Sequence, residues 1–358
     1  MSTFSCNVVE LEIEKHPDAD ALEVARIGDY KAVVAKGMFK SGDLAVYIPE
    51  SAVLPDPVIE KLGLVGRLSG SNKNRVKAIK LRGVLSQGLV YPLDNGFCVF
   101  PDNTKTQVAL DDDLTEPLGI HKYEPEIPAH MSGEVFNAGD LLLAFDVENI
   151  KKFPMVFSEG EPVEITEKIH GTFCGIAILP EAFAEPHKDN LLLGRIAVYS
   201  KGLGSYGLAF KANEKNNGNL YLRTVGLFSE ILMDKFGKKN EPVYILGEIF
   251  GKGIQDLSYG GLKPEFRWFD ICSPRQGKMS WNTEDLVFSL DFLSKPTVLY
   301  TGGFKKEIVD ELTNGKESIS GHESHIREGV VIRAIDQRKI LKSVSEAYLL
   351  RKGGTELN

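Results

Sequence analysis

Between Val8 and about Leu93 the chain is written in short β-rich runs, each closed by a turn signal, and that rhythm restricts the fold more than any other feature. The runs are Leu22 to Ile27, Lys31 to Ala35, Asp43 to Ile48, Val76 to Leu81 and Gly88 to Tyr91, and Gly28-Asp29, Ser41-Gly42-Asp43 and Asn95-Gly96 punctuate them. Strands this short suit a small closed β-barrel better than βαβ units, where helical periods would intervene. Pro117, Pro125 and Pro128 then interrupt a polar stretch containing His121, His130 and Ser132, in which neither helical nor strand periodicity persists.

A second block starts near Phe145 and runs to the C-terminus. Strand-like segments (Val163 to Glu167, Phe173 to Leu179, Arg195 to Ser200, Val243 to Ile249, Phe266 to Ile271, Gly329 to Ala334) mix with helical ones around Gly218 to Phe236 and Thr283 to Leu293. The chain, 358 residues long, exceeds the usual single-core size, so two domains are expected. The fold class is α+β: an OB-like β-barrel over 1–125, a linker over 126–144, and a domain of antiparallel sheets with flanking helices over 145–358.

A net charge of -8 argues against gross coating of nucleic acid, although a phosphate-binding face needs only local positive charge. The stretch Arg67 to Arg82 offers one, with Arg67, Lys73, Arg75, Lys77, Lys80 and Arg82 and no acidic residue. Taken alone it reads equally as a solvated loop and strand edge. Cys6, Cys98, Cys174 and Cys272 lie far apart without C-x-x-C spacing, which argues against a zinc ribbon or a disulfide-dense secreted domain. No apolar run approaches a membrane span, and Met1 to Val9 lacks a secretory signal's basic start. An intracellular, cytoplasmic protein is expected; nothing in the sequence bears on oligomeric state.

The chemistry gathers in the second block. Lys168 ends the apolar-alternating run Val163 to Glu167 and precedes a turn with Gly171, so Lys168-Ile169-His170-Gly171 joins a possible covalent nucleophile to a glycine that lets phosphate approach. A lysine attacks only when neutral, which requires neighbouring cations or desolvation. Further on, Glu248 in Leu246-Gly247-Glu248-Ile249-Phe250-Gly251 and Glu328 in Arg327-Glu328-Gly329-Val330-Val331-Ile332 are carboxylates set in apolar strands, where an unpartnered charge is costly. Structural ion pairs or a ligand site would each satisfy them. Phe266 to Ile271 supplies aromatics for stacking on a base or for plain core, and Lys342 could return positive charge to the same site.

Other patterns are weaker. Gly202-Leu203-Gly204-Ser205-Tyr206-Gly207 matches G-x-G-x-x-G, but the polar stretch Lys211 to Gly218 that follows has no apolar helical period, so a dinucleotide fold is rejected. His322-Glu323-Ser324-His325 lacks the H-E-x-x-H spacing of zinc proteases and reads as loop. His16 reads as structural.

Taken in order, the series resembles the covalent nucleotidyltransferase superfamily, and within it ATP-dependent RNA ligases of the nick-sealing subgroup with an OB-like domain placed first. The matching elements are Glu167-Lys168-Ile169-His170-Gly171, Ser200-Lys201, Gly247-Glu248, Phe266 to Ile271, Glu328-Gly329-Val330-Val331 and Leu341-Lys342, covering about Phe145 to Arg351. Asp146 to Phe153 and Gly253-Ile254-Gln255 are also similar to nick-sealing RNA ligases, and His16-Pro17-Asp18-Ala19-Asp20 with Leu22 loosely resembles the start of tRNA-binding OB domains. DNA ligases and capping enzymes usually carry Asp where His170 stands, and they place an OB domain after the last motif, for which the sixteen residues after Lys342 leave no room. One departure is Ile340, at the first place of a motif that usually reads K-x-K.

The resemblance implies an enzyme joining RNA 3′-OH and 5′-phosphate ends, free or at a nick in a duplex, through a lysyl-AMP intermediate, as in RNA repair. It implies Lys168 as the nucleophile toward ATP, Phe266 stacking on adenine, Glu167 contacting the adenine edge, Glu248 holding the ribose, and Lys201 and Lys342 facing phosphates. His170 and Gly171 complete the nucleotide-binding set, and Glu328 would hold Mg²⁺ or Mn²⁺. A DNA ligase, a capping-type nucleotidyltransferase and a non-enzymatic RNA-binding protein are the alternatives.

Overall fold

The computed structural model describes residues 4–335 and 338–351. In the N-terminal part, Leu44–Ile48 lies between Val8–Glu10 and Leu89–Pro92 in one antiparallel sheet, and Leu22–Ile27 lies between Glu12–Lys15 and Tyr30–Ala35 in another. Leu11 carries the chain from one sheet to the other, its N–H donating to Asp43 O and its carbonyl accepting from Gly42 N. At the far edge Gln87 N donates to Lys31 O and Ser86 Oγ accepts from Val33 N, which curls the strands around a common interior of Leu11, Ala25, Ala32, Val34, Phe39, Ala45 and Val90. The run Val76 to Leu81 is a strand only over Ile79–Leu81, which turns through Arg82 and Gly83, at φ 45° and 87°, into Val84–Ser86. Two central residues at positive φ are what a tight hairpin requires. His16 is fully buried; its Nδ1 accepts from Asp18 N, so Nε2 donates to Leu81 O.

Two five-stranded sheets build the rest. The first runs Glu148–Asn149, Ile340–Val344, Gly329–Ala334, Pro162–Lys168, Val298–Gly303, antiparallel throughout except for its parallel first pair. The second runs Ile196–Ser200, Thr172–Ile178, Val243–Phe250, Glu265–Arg275, Lys278–Trp281, all antiparallel. Pro162–Lys168 and Thr172–Ile178 are consecutive in the chain yet belong to different sheets, so Ile169-His170-Gly171 is the seam between them. Along Pro162–Lys168, Val163, Ile165 and Glu167 are buried and the residues between them half-buried, the period of two that a strand imposes.

Leu220–Gly226 and Ser229–Phe236 pack Tyr221, Val225, Leu232 and Phe236 onto the second sheet. The expected single helical segment is broken because Phe228 leaves helical geometry (φ −133°, ψ 11°) and stacks on Phe266, ring centres 5.6 Å apart. Thr283 to Leu293 is helical only over Glu284–Phe288. Within the stretch read as a linker, Val135–Asn137 pairs with Leu208–Phe210, and Asn216 accepts from Glu134 N and donates to Glu134 O, so this stretch packs on the second part of the chain. The glycine-rich Lys201–Ser205 is itself a short helix, not a phosphate loop opening one.

Tyr199 ties the second sheet to the approach of the site. Its ring is wholly buried over Gly175 and Gly204, where a Cβ would come within 2.2 Å and 2.6 Å of it. The hydroxyl donates to Leu143 O at 3.1 Å and accepts from Leu143 N at 3.2 Å, holding the chain just before Phe145 and Asp146. Tyr199→Phe is expected to cost about 2 kcal/mol because both Leu143 groups lose a partner in a buried setting. Gly175→Ala should cost at least about 1 kcal/mol by overpacking. Urea unfolding measures both, and unchanged midpoints would contradict this account of the packing.

Candidate active site

Beside the seam a cavity of about 660 Å³ opens between the N-terminal barrel and the two large sheets. Strand register brings distant residues to its wall. Lys168 pairs with Gly329, which places it against Glu328, and Lys342 pairs with Val331 on the neighbouring strand. Glu248, opposite Phe173, faces the cavity from the other sheet, and Lys201 opens the short helix after Ile196–Ser200. Lys168 Nζ lies 2.6 Å from Glu328 Oε1, and Lys201 Nζ lies 2.8 Å from Asp146 Oδ1.

Charge crowding in this poorly solvated space sets the titration of its groups. Burial alone would raise the Glu328 carboxyl, but Lys168 and His170 outweigh it and hold it down at about 2. Glu248 goes the other way: burial, only partly offset by Lys168, pushes it up to about 7. Lys342 is drawn down to about 8, first by burial and then by the charges of Lys168 and Lys201. Asp146 stays below the ordinary range because Lys201 and Lys342 overcome its burial.

His170 is buried at the seam. Its backbone N–H donates to Tyr259 Oη at 2.6 Å, Nε2 lies 2.9 Å from Asp256 Oδ1, and Nδ1 lies 3.0 Å from Tyr348 Oη and 3.7 Å from Glu328 Oε2. Burial opposes the imidazolium, but the two carboxylates prevail and its pKa is raised. Glu328 Oε2 itself has no hydrogen-bond partner among the described residues. Gly171 has a packing reason: a Cβ there would stand 2.2 Å from Ile249 O, while Gln255 Nε2 donates to its carbonyl.

One expected site residue sits otherwise than the sequence suggested. Phe266 does not line the cavity; it is core, stacked on Phe228 and pressed against Gly247. Phe269, three residues on and so of opposite strand parity, does line it, together with Phe145 and Phe173, at centroid distances of 5.4 Å and 6.3 Å from Phe269. Glu167 lies at the wall, where Oε2 accepts from Ser318 N at 2.8 Å and Ser318 Oγ at 2.5 Å, 3.6 Å from Arg327 Nε, while Oε1 is buried with no hydrogen-bond partner among the described residues. Burial raises its pKa. Asp256, Tyr348 and Arg351 were not singled out in the sequence; no local pattern marks them, because only the fold brings them to His170.

Ile340, where a second lysine was expected, lines the cavity on the same strand face as Lys342 and Val344. Apolar neighbours on both sides deepen the desolvation of Lys342. Because its pKa falls below the value in an unfolded chain, the charged form costs stability fully below about pH 8, and the cost fades as pH climbs toward 10.5. Lys342→Met should therefore stabilise the fold at pH 7 by on the order of 2–3 kcal/mol, with the gain shrinking between pH 8 and 10.5. Denaturant unfolding across that range tests the sign; a destabilised Lys342→Met protein at pH 7 would refute it.

Among the described residues no helix is long and apolar enough to cross a membrane, and no group of three or more His, Cys, Asp or Glu side chains is arranged to hold a metal ion. No curated protein sequence matches the chain. Solved structures do match over nearly all of it. The Naegleria gruberi RNA ligase with PPi superposes with a TM-score of 0.76 at 24% identity, covering 97% of this chain and 98% of that one. A mutant of the same ligase with ATP and Mn gives 0.76 at 23% identity over 96% and 98%, and another with AMP and Mn gives 0.75 at 23% over 97% and 98%. A sequence model for an OB-fold domain matches residues 7–93, and the RNA ligase model matches 161–344, the segment that holds Lys168, Glu248, Glu328 and Lys342. The chain belongs to the RNA ligase family, with an OB-fold domain ahead of its ligase domain.

Proposed function

We propose that this RNA ligase joins RNA 3′-OH and 5′-phosphate ends by passing AMP through Lys168. The observation that carries the reading is the convergence, at the Ile169-His170-Gly171 seam, of Lys168 on Glu328 with Lys201, Lys342 and Glu248 around one cavity. In the first step Lys168 Nζ bonds the α-phosphorus of ATP as the bond to the bridging oxygen breaks and pyrophosphate leaves. In the second, a 5′-phosphate oxygen displaces the lysine; in the third, the 3′-OH displaces AMP and the strand is closed. Nucleophile and leaving group are the same amine, so two moderate barriers replace one high barrier.

The roles follow from placement. Burial and the charges of Lys168 and Lys201 draw the pKa of Lys342 down, and the two lysines that do not attack stabilise charge on the phosphates. Adenine stacks on the Phe145, Phe173 and Phe269 cluster, a role the sequence pattern suggested for Phe266, and Glu248 bonds the ribose hydroxyls. Mg²⁺ or Mn²⁺ fits Glu328, whose Oε2 is buried and unbonded, in the manner of a hard cation held by one carboxylate with phosphate oxygens and water, and it would neutralise phosphate charge. A structure of the Naegleria ligase contains ATP and Mn, which supports ATP and a divalent cation as the cofactors. We take the N-terminal barrel, residues 1–125, to hold the RNA duplex, and the four buried free cysteines fit a reducing intracellular compartment.

Incubation with α-labelled ATP and denaturing electrophoresis tests the reading. Wild-type protein should carry covalent AMP, and Lys168→Ala should carry none while still sealing pre-adenylylated ends in part. An undiminished adduct in Lys168→Ala would remove Lys168 from the reaction. On nicks differing only in the last two 3′-OH sugars, ribose should be sealed at least about tenfold faster than deoxyribose, because A-form geometry and 2′-hydroxyls distinguish RNA. Equal single-turnover rates would speak against RNA as the acceptor strand.

A further inference from the structure

Beyond the residues that face the cavity, a second chain of polar contacts ends on the same carboxylate. Asp256 lies outside the cavity wall, with Oδ1 2.9 Å from His170 Nε2. Arg351 Nε donates to Asp256 Oδ2 at 2.8 Å and Arg351 Nη2 to Oδ1 at 3.2 Å, a two-point clamp that sets the plane of the carboxylate. The same guanidinium lies 3.5 Å over the ring of Tyr348, whose hydroxyl is 3.0 Å from His170 Nδ1. An ionised carboxylate only accepts hydrogen bonds, so Asp256 assigns a proton to Nε2 and fixes the rotation of the imidazole. With that rotation Nδ1 meets Tyr348 Oη at 3.0 Å and stands 3.7 Å from Glu328 Oε2, a charge contact and not a hydrogen bond, while Lys168 takes Oε1 of the same group at 2.6 Å. The order is thus Arg351, Asp256, His170, Glu328, Lys168.

We infer that Asp256 and Arg351 are positioning residues for lysine adenylylation, holding His170 so that it orients the Glu328 carboxylate against Lys168. Neither touches the reacting atoms, and the effect passes through His170. The arrangement also makes the last helix, Glu346–Leu350, part of the site: Tyr348 and Arg351 grip the seam, and Glu346 binds Lys80 of the barrel at 2.6 Å. This inference rests on the reading that Lys168 is the residue adenylylated.

The test is single-turnover formation of lysyl-AMP by the full chain over a range of ATP concentrations. The proteins are wild type, Asp256→Asn, Arg351→Ala, Arg351→Lys, His170→Asn and the double variant of Asp256→Asn with His170→Asn. Asp256→Asn and Arg351→Ala should each lower the maximal rate by about tenfold or more, as loss of an orienting partner does, with half-saturating ATP within about twofold of wild type. Arg351→Lys should recover part of the rate. In the His170→Asn background, Asp256→Asn should cost less than about threefold, because the two act as one unit. A purely structural tether would instead give the same factor in both backgrounds, and that outcome, an unchanged rate, or a change confined to half-saturating ATP would overturn the inference. If Asp256→Asn proves poorly folded by thermal unfolding, the cycle of Arg351→Ala with His170→Asn makes the same decision. No adduct in the wild type would overturn the role of Lys168 itself, whereas a normal wild type with additive variants overturns only the roles of Asp256 and Arg351.

Discussion

The chain leaves one five-stranded sheet and enters the other in three residues, and at the third of them there is no space for a side chain. A Cβ on Gly171 would meet Ile249 O at 2.2 Å and Glu248 Cγ at 2.9 Å. That contact sets how closely the strand bearing Lys168 approaches the strand bearing Glu248, and hence the width of the cavity between them. A similar constraint acts on the partner strand, where Gly329 is packed against Ser343 O, at 2.0 Å from where its Cβ would be. Glycine at both places lets backbone lie against backbone, so the charged residues beside them, His170 and Glu328, are presented at fixed separation without a flexible loop.

What those glycines bring together is costly by itself. Three lysines and three carboxylates share a space from which much water is excluded, and ion pairing only partly offsets the desolvation. Glu328 is the member held ionised, since Lys168 and His170 flank it; Glu248 and Lys342 are displaced from their ordinary ionisation and carry the cost. A triphosphate entering such a site would supply the negative charge that the lysines lack, and the electrostatic cost borne by the fold would become binding and transition-state stabilisation. Stability given up at Lys342 is consistent with selection for that reaction and not for rigidity.

Much of this was legible in the sequence because each charged residue sits on or next to an apolar strand, and apolar strands are read easily. Lys168, Glu248, Glu328 and Lys342 could be placed from period-two alternation, which also places them on strand faces. The same reasoning failed at Phe266, where the aromatic run Phe266-Arg267-Trp268-Phe269 has rings of both parities and only packing against Phe228 decides which face is core. Nor could the sequence show the bond from Ser318 to Glu167, because Ser318 lies 151 residues away on a segment with no pattern of its own. The strand Val298–Gly303 went unseen for a related reason: it ends in Gly302-Gly303, a pair that signals a turn, whereas here the two glycines leave room for the Tyr300 ring and for the backbone of Gly160. Val135–Asn137 is a strand only because Leu208–Phe210 offers it an edge.

The relation between the barrel and the ligase sheets is carried by a few polar contacts near the cavity. Asp29 N donates to Lys151 O, Lys151 reaches Gln87, Lys306 reaches Asp29, and Lys80 pairs with Glu346. An exposed ion pair such as Lys80–Glu346 contributes little, whereas Lys151 is half-buried and lies over the Tyr30 ring. Gly28 adds the closest approach, where a Cβ would stand 3.0 Å from Lys151 O. On the proposed placement of RNA on the barrel, the contacts between the parts must keep their register while RNA bound to both adds contacts that the protein alone does not make. The terminal helix lies where those two demands meet, with Glu346 on the barrel and Tyr348 and Arg351 on the seam. On the proposed roles, displacement of the barrel would pull on the helix that carries Tyr348, so RNA held by the barrel and the geometry at Lys168 would share one mechanical element.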